Sequence, residues 1–571
     1  MLVKNKNIGL VIFLISIFLG WIAANSLSKN NSFNFKKIGS TLWNVLGESA
    51  FSFDSDYITP NQLNVDILHY DLEIDLYPSL KLLKGQAVIT GVIMKPDLKQ
   101  IDLNFYDNLK ITNLSLNDSA CKYENKRTRL SIFCNQQSAD TFKLLINYEG
   151  TPKRAGLSGF VFGELNGNSV IYNLSEPSYA STWFPCNDFP SDKALIDIRI
   201  TNDSSQTSLS NGILVSKQSI GSRKTYHWRT LYPISTYLIC LYSSKYNEFT
   251  DRYISASNDT MNLNYFVFPE HEEKAKVDFK NTPEIISFFA STFGEYPFIK
   301  EKYGIAEFLW QMGAMEHQTI TGIGSNFING KNYFEDVYIH ELAHHWWGNA
   351  VGPSSWKDIW LNEGFATYSE ALYEEFLHGQ NGLKSKMLGS YSDSYMGTVY
   401  DPGSNLFNST VYDKGAWVLH MLRWEIGDSI FFQVLRTYFE TYKYKNASTF
   451  DFISLCEKLS QKNLKKFFDQ WVFTGTDNIK LDYKWIIKPT ENNKHLVLLD
   501  LFQRQENYHT FEFNLEVMLE YDNNRSFSKI FNITQRQQRI EFILDEKPNQ
   551  LILDPNNWIL ADIKDRNSYE N

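Results

Sequence analysis

The sequence predicts a multidomain α+β protein: an N-terminal β-rich domain, a mostly helical middle domain and a C-terminal β-sandwich. Three changes of texture carry this reading. From about Val65, apolar and polar residues alternate at period two in "DILHYDLEIDLYP", "GQAVITGVIM", "ALIDIRITND" and "STYLICLYSS". The spacing turns helical at "EKAKVDFKNTPEIISFFASTFG", with Gly294 as a stop, and stays helical to about Phe473. After "TGTDN" the alternation returns in "LDYKWIIKP", "HLVLLDLFQ", "FEFNLEVMLEY", "RIEFILDE" and "LILDP". The divisions that follow are residues 55–267, 268–477 and 478–571.

In chain order, the first element is an uncharged stretch, Ile8–Ala24, preceded by Lys4 and Lys6. Its 17 residues are long for a secretory core and just long enough to span a bilayer. The bulky Trp21 and Ile22 make a poor cleavage site. Residues 1–30 therefore read as a signal-anchor or signal peptide. Residues 31–54, rich in Asn, Ser and Lys, read as a linker. Positive-inside bias puts the remainder outside the cytosol, with the membrane as a partner of this segment.

The 571 residues allow about three to five domains, and 43 % hydrophobic and 15 % aromatic content supports large cores. A net charge of -10 with no basic run excludes nucleic acid as the main partner. The five cysteines form no zinc pattern and no disulfide scaffold, although Cys121 and Cys134 flank a stretch that reads as a hairpin and would permit one bridge. N-x-S/T sequons occur at Asn113 and Asn173.

The helical middle holds "YIHELAHHWWGN", Tyr338–Asn349. Residues four apart on a helix are offset by about 40° and about 6 Å, so His340 and His344 point the same way and suit one zinc ion. Glu341, about 100° round from His340, stands where a base acting on water belongs. A zinc peptidase needs a third ligand, and "WLNEGFATYSE" offers Glu363, flanked by Trp360, Leu361 and Phe365. The spacer leaves room for the first helix to end at Gly348 and a second, antiparallel helix to follow. Trp346 and Trp347 read as core beneath the first helix.

HELAH, an 18-residue spacer and the Glu of "WLNEGFA" resemble the aminopeptidase N family of zinc metallopeptidases, of the gluzincin type. "GAMEH" (Gly313–His317) resembles the family's G-x-M-E-N exopeptidase motif, "VYDKGAWVLHMLR" the segment with its catalytic tyrosine, and "STWFPCNDFPSDKA" its N-terminal signature. The resemblance implies a thermolysin-like catalytic domain binding one Zn²⁺ through His340, His344 and Glu363. It implies Glu341 as general base and Tyr412 as donor to the developing oxyanion. Gly313, Ala314, Met315 and Glu316 would bind substrate, and Glu176 in "NLSEPSY" matches the second position that faces the amine. Partners would be peptides with a free N-terminus. Two departures stand out: His317 replaces the family's Asn, and a C-terminal helical domain is not expected. The alternatives are a zinc endopeptidase on the same scaffold and a non-catalytic peptide-binding relative. Cys186, within the N-terminal signature, reads as structural.

Overall fold

The computed structural model describes residues 57–566, apart from 137–139, 156–157, 491, 507 and 523–524. The linker and Ile8–Ala24 lie outside these residues. Among the described residues, no helix is long and apolar enough to cross a membrane.

Alternation along Val65–Tyr77, shifted once by a bulge between Ile67 and His69, buries one face of the strand and builds an eight-stranded sheet in which it runs antiparallel to Leu82–Ile93 and parallel to Leu195–Asp203. The hairpin expected between Cys121 and Cys134 forms from Tyr123–Lys126 and Arg129–Gln136, and both thiols are free. Asn173 is buried, with its amide bonded to Ser175, Ile239 and Leu241, so its sequon is not available in the folded chain.

A five-stranded sheet leads into the helical region. Its order is Asn247–Ile254, Thr260–Val267, Tyr303–Phe308, Thr321–Gly324, with the two-residue strand Ala314–Met315 at the edge. Leu263 pairs with Tyr303 and Phe266 with Ala306, so this sheet joins strands from both sides of residue 267.

The predicted long helix after it is two: α1 (Glu272–Asp278) and α2 (Thr282–Phe293), separated ahead of Pro283 because proline tolerates only the first turn of a helix. Gly294 ends α2 at φ +122°. Then come α3 (Glu335–Ala343), α4 (Trp360–His378), α5 (Gln380–Gly389), α6 (Gly415–Ile426), α7 (Asp428–Tyr442) and α8 (Thr449–Ser460). The α3 helix stops short of Gly348. His345 and Trp346 donate their N–H groups three residues back, to Leu342 and Ala343, so the end tightens before the chain turns at Gly348, φ +117°.

The last region holds a four-stranded sheet (Gln537–Leu544, His495–Gln503, Ile479–Pro489, Ala561–Asp565) and a three-stranded one (Ser526–Ile533, Phe513–Glu520, Gln550–Leu553). The alternating burial of Phe513–Glu520 is that of a sandwich strand.

Candidate active site

α3 and α4 pack against one another and bring three ligand atoms together. Nε2 of His340 and Nε2 of His344 are 3.1 Å apart, and Oε2 of Glu363 is 3.3 Å from each. Three ligands of a tetrahedral metal at 2.0–2.1 Å stand about 3.3–3.4 Å from one another. The other ring nitrogens fix the tautomers. Nδ1 of His340 lies 2.9 Å from Glu370 and Nδ1 of His344 lies 3.0 Å from the Trp347 carbonyl, both acceptors. The protons therefore sit on Nδ1, and two imidazole lone pairs and a carboxylate oxygen converge on one point. With a cation such as zinc at that point, each of the three atoms has a lone pair to offer it.

Glu370 was missed in the sequence. It stands two turns after Glu363 on the same face of α4, and that spacing was the available signal. It is buried and bridges His340 to Lys386 Nζ, 2.6 Å away on α5. A carboxylate on the far nitrogen of a metal-binding histidine orients the ring and raises its basicity.

Glu341 is buried, and its Oε2 has no partner within the protein. Burial pushes its carboxyl up to about 8, partly opposed by the His340 imidazole. Burial also works to raise Glu363, but His344 and His340 hold it low, at about 2. Tyr412 sits on a π-helical turn, Thr410–Lys414, immediately before α6. Its ring lies 5.9 Å from that of His340 and nearly parallel to it. Burial, and then the charge of Glu363, keep its phenol protonated.

A second cluster adjoins the first. Carboxylate oxygens of Glu176, Glu316 and Glu363 lie within 4.8 Å of one another. Glu316 follows the edge strand Ala314–Met315, and Glu176 follows the strand Asn168–Leu174. Both are buried, and each has one oxygen without a partner. Burial, and then the charge of Glu316, push Glu176 well above the usual carboxylate range. Carboxylates crowded together in this way are suited to a cationic group, whose charge would offset their burial. Gly313 completes the turn into the edge strand, packed on the Trp310 ring.

Trp346 and Trp347 are buried beneath α3, bonded to the Gly294 carbonyl and the Ser369 hydroxyl. The Cys186 thiol is fully buried, and burial raises it far above the range of a nucleophile.

Residues 277–471 match the family described as the peptidase family M1 domain, and residues 67–238 match the peptidase M1 N-terminal domain. Among curated proteins, probable aminopeptidase 2 of Sulfurisphaera tokodaii is 28 % identical over 402 residues, 66 % of this chain and 51 % of that protein. Human glutamyl aminopeptidase is 30 % identical over 332 residues, 53 % of this chain and 34 % of that one. The chain thus spans about half or less of these relatives' length. Among solved structures, the M1 zinc metallopeptidase of Deinococcus radiodurans superposes with a TM-score of 0.66 at 25 % identity, over 72 % of this chain and 94 % of that one. Aminopeptidase A of Legionella pneumophila superposes with a TM-score of 0.78 over 89 % of this chain and 60 % of that one. At 19 % identity, that last likeness shows the fold alone.

Proposed function

This chain belongs to peptidase family M1, and on that premise we propose that it is a zinc aminopeptidase removing single residues from peptides with a free N-terminus. The observation that carries this reading is the second cluster: two further buried carboxylates, Glu176 and Glu316, gathered beside the ligand Glu363, more carboxylate oxygens than one metal needs. A mutant of the Deinococcus protein bound to a Tyr-Ser-Ala substrate lends support from a relative.

His340, His344 and Glu363 would hold the zinc, with Glu370 orienting His340. Zinc, when bound, supplies a Lewis acid that acidifies water and polarises a carbonyl oxygen. Glu341 takes the proton of the attacking water and passes it to the leaving amine. Tyr412 donates its hydroxyl proton to the oxygen on which negative charge develops. Glu316 and Glu176 take the substrate's α-ammonium, which sets the distance from the N-terminus to the reacting carbonyl at one residue. The segment Gly313, Ala314 and Met315, at the edge of its sheet, pairs with the substrate backbone. The domain divisions at 267 and 477 are part of this proposal. So is delivery beyond the cytosol by Ile8–Ala24, as an anchor or as a removed signal.

The deciding experiment compares one peptide with a free and with an acetylated N-terminus, by mass spectrometry. Acetylation removes the cation and leaves buried carboxylates unpaired, so kcat/KM is expected to fall by more than about 10³. Internal cleavage of the acetylated peptide at a similar rate would make the protein an endopeptidase.

A further inference from the structure

We propose that Tyr242 is a positioning residue for the amine subsite, holding His317 and through it the carboxylate of Glu316. This inference rests on the aminopeptidase reading and deepens it. Tyr242, on the short strand Tyr242–Ser244 of the N-terminal β-rich region, places its hydroxyl 2.6 Å from Nδ1 of His317. Both residues are fully buried. Nε2 of His317 has no partner, and a tyrosine hydroxyl has one proton to give. If Tyr242 donates to Nδ1, a single N–H is left unpaired. The reverse arrangement leaves both the tyrosine proton and Nε2 unpaired. Tyr242 is therefore the donor and His317 the acceptor. Burial holds the imidazole down at about 3, so it stays neutral across any working pH.

The segment after the edge strand has little freedom elsewhere. The Glu316 carbonyl accepts from Asn349 Nδ2 at 2.7 Å, and the Gln318 carbonyl accepts from Asn211 Nδ2 at 2.6 Å. Thr319 donates its N–H to His345 at 3.1 Å, and its hydroxyl accepts from the Gly212 N–H at 2.9 Å. These contacts hold Thr319 at φ +67°, a conformation that a β-branched residue adopts only under constraint. The residue next to Glu316 is tethered by its side chain, and that tether comes from Tyr242. The site thus needs an acceptor on the δ atom of residue 317. Histidine supplies Nδ1, and asparagine, the residue of the related motif, supplies Oδ1 at the same bond distance from the backbone. Leucine supplies none, and glutamine carries its amide one atom too far out.

The test uses the full chain with an amino-acid amide substrate, and reads zinc content, kcat and KM for Tyr242→Phe, His317→Leu, His317→Asn and the double variant Tyr242→Phe/His317→Leu. Loss of one buried hydrogen bond that positions an amine ligand is expected to raise KM about tenfold, with kcat and zinc content held. Tyr242→Phe and His317→Leu should lose the same amount, the double variant no more than either, and His317→Asn should keep near-parental KM. A Tyr242→Phe enzyme with parental KM, even one that melts earlier, overturns the proposal and leaves the aminopeptidase reading standing. If Tyr242→Phe fails to fold, equal losses in His317→Asn and His317→Leu overturn it as well. A parental enzyme inactive on every free-amine substrate defeats the underlying reading, and the inference falls with it.

Discussion

Glu341 keeps one buried carboxylate oxygen without a partner beside two histidines whose lone pairs point elsewhere. An unpaired buried acceptor costs about 1–3 kcal/mol, and reaction chemistry is a common reason to retain one. Glu341→Gln preserves the shape and removes the base. It is expected to bind zinc at the parental level and to lose at least about 10²–10⁴ in rate. Metal analysis and turnover on one preparation check this, and loss of the zinc would make Glu341 a ligand. Tyr412→Phe should instead lower kcat by about 10²–10³ with KM little changed, because its hydroxyl acts where charge develops. A raised KM at constant kcat would assign Tyr412 to substrate binding.

Among the elements, the decisive contact is the crossing of α4 and α6. A Cβ on Gly364 would lie 2.9 Å from the Gly415 backbone, and one on Gly415 would lie 3.0 Å from Gly364 Cα. Two glycines let the helix carrying Glu363 touch the start of the helix that follows Tyr412. The proposed ligand and the proposed oxyanion donor are each one to three residues from this crossing. Gly364→Ala should force the helices apart, costing about 1–3 kcal/mol of stability and lowering kcat more than KM, since misplacement of Tyr412 is felt where charge develops. Thermal melts and kinetics on the purified variant check both, and an alanine variant with parental kcat would show that the spacing is not critical. The glycine was visible in "WLNEGFA", but its partner was not, because a helix crossing leaves no local pattern.

For the whole molecule, one of the contacts that tie the C-terminal sheets to the catalytic helices is made by a buried histidine. His420 on α6 donates from Nε2 to the Asn557 carbonyl at 3.1 Å and accepts at Nδ1 from Tyr368 on α4 at 3.2 Å, while Trp558 stacks on its ring at 4.6 Å. The sandwich therefore braces the helix that carries Glu363 and Glu370. Ile8–Ala24 precedes every domain proposed from the sequence, so a chain lacking residues 1–30 is expected to fold, remain in solution and keep parental kcat/KM. Fractionation and the amide assay check it. A truncated chain that aggregates or loses activity would place Ile8–Ala24 in the globular body and remove the proposed role in delivery.

The sequence by itself determined what depends on local periodicity. Residues four apart on a helix must share a face, so His340, His344 and the offset Glu341 were legible, and a buried glutamate on the next amphipathic helix pointed to Glu363. Alternation at period two determined which stretches are strands. Only the tertiary structure decided that Glu370 backs His340, that Tyr242 reaches His317 and that Gly364 lies on Gly415, while the meeting of Glu176 with Glu316 was implied by the family resemblance and by no local pattern. It also decided that the strands on either side of residue 267 share one sheet. Each of these is a contact between segments far apart in the chain. Such contacts are set by how whole faces pack and by which buried charges must be answered, and neither is written in the spacing of any one segment.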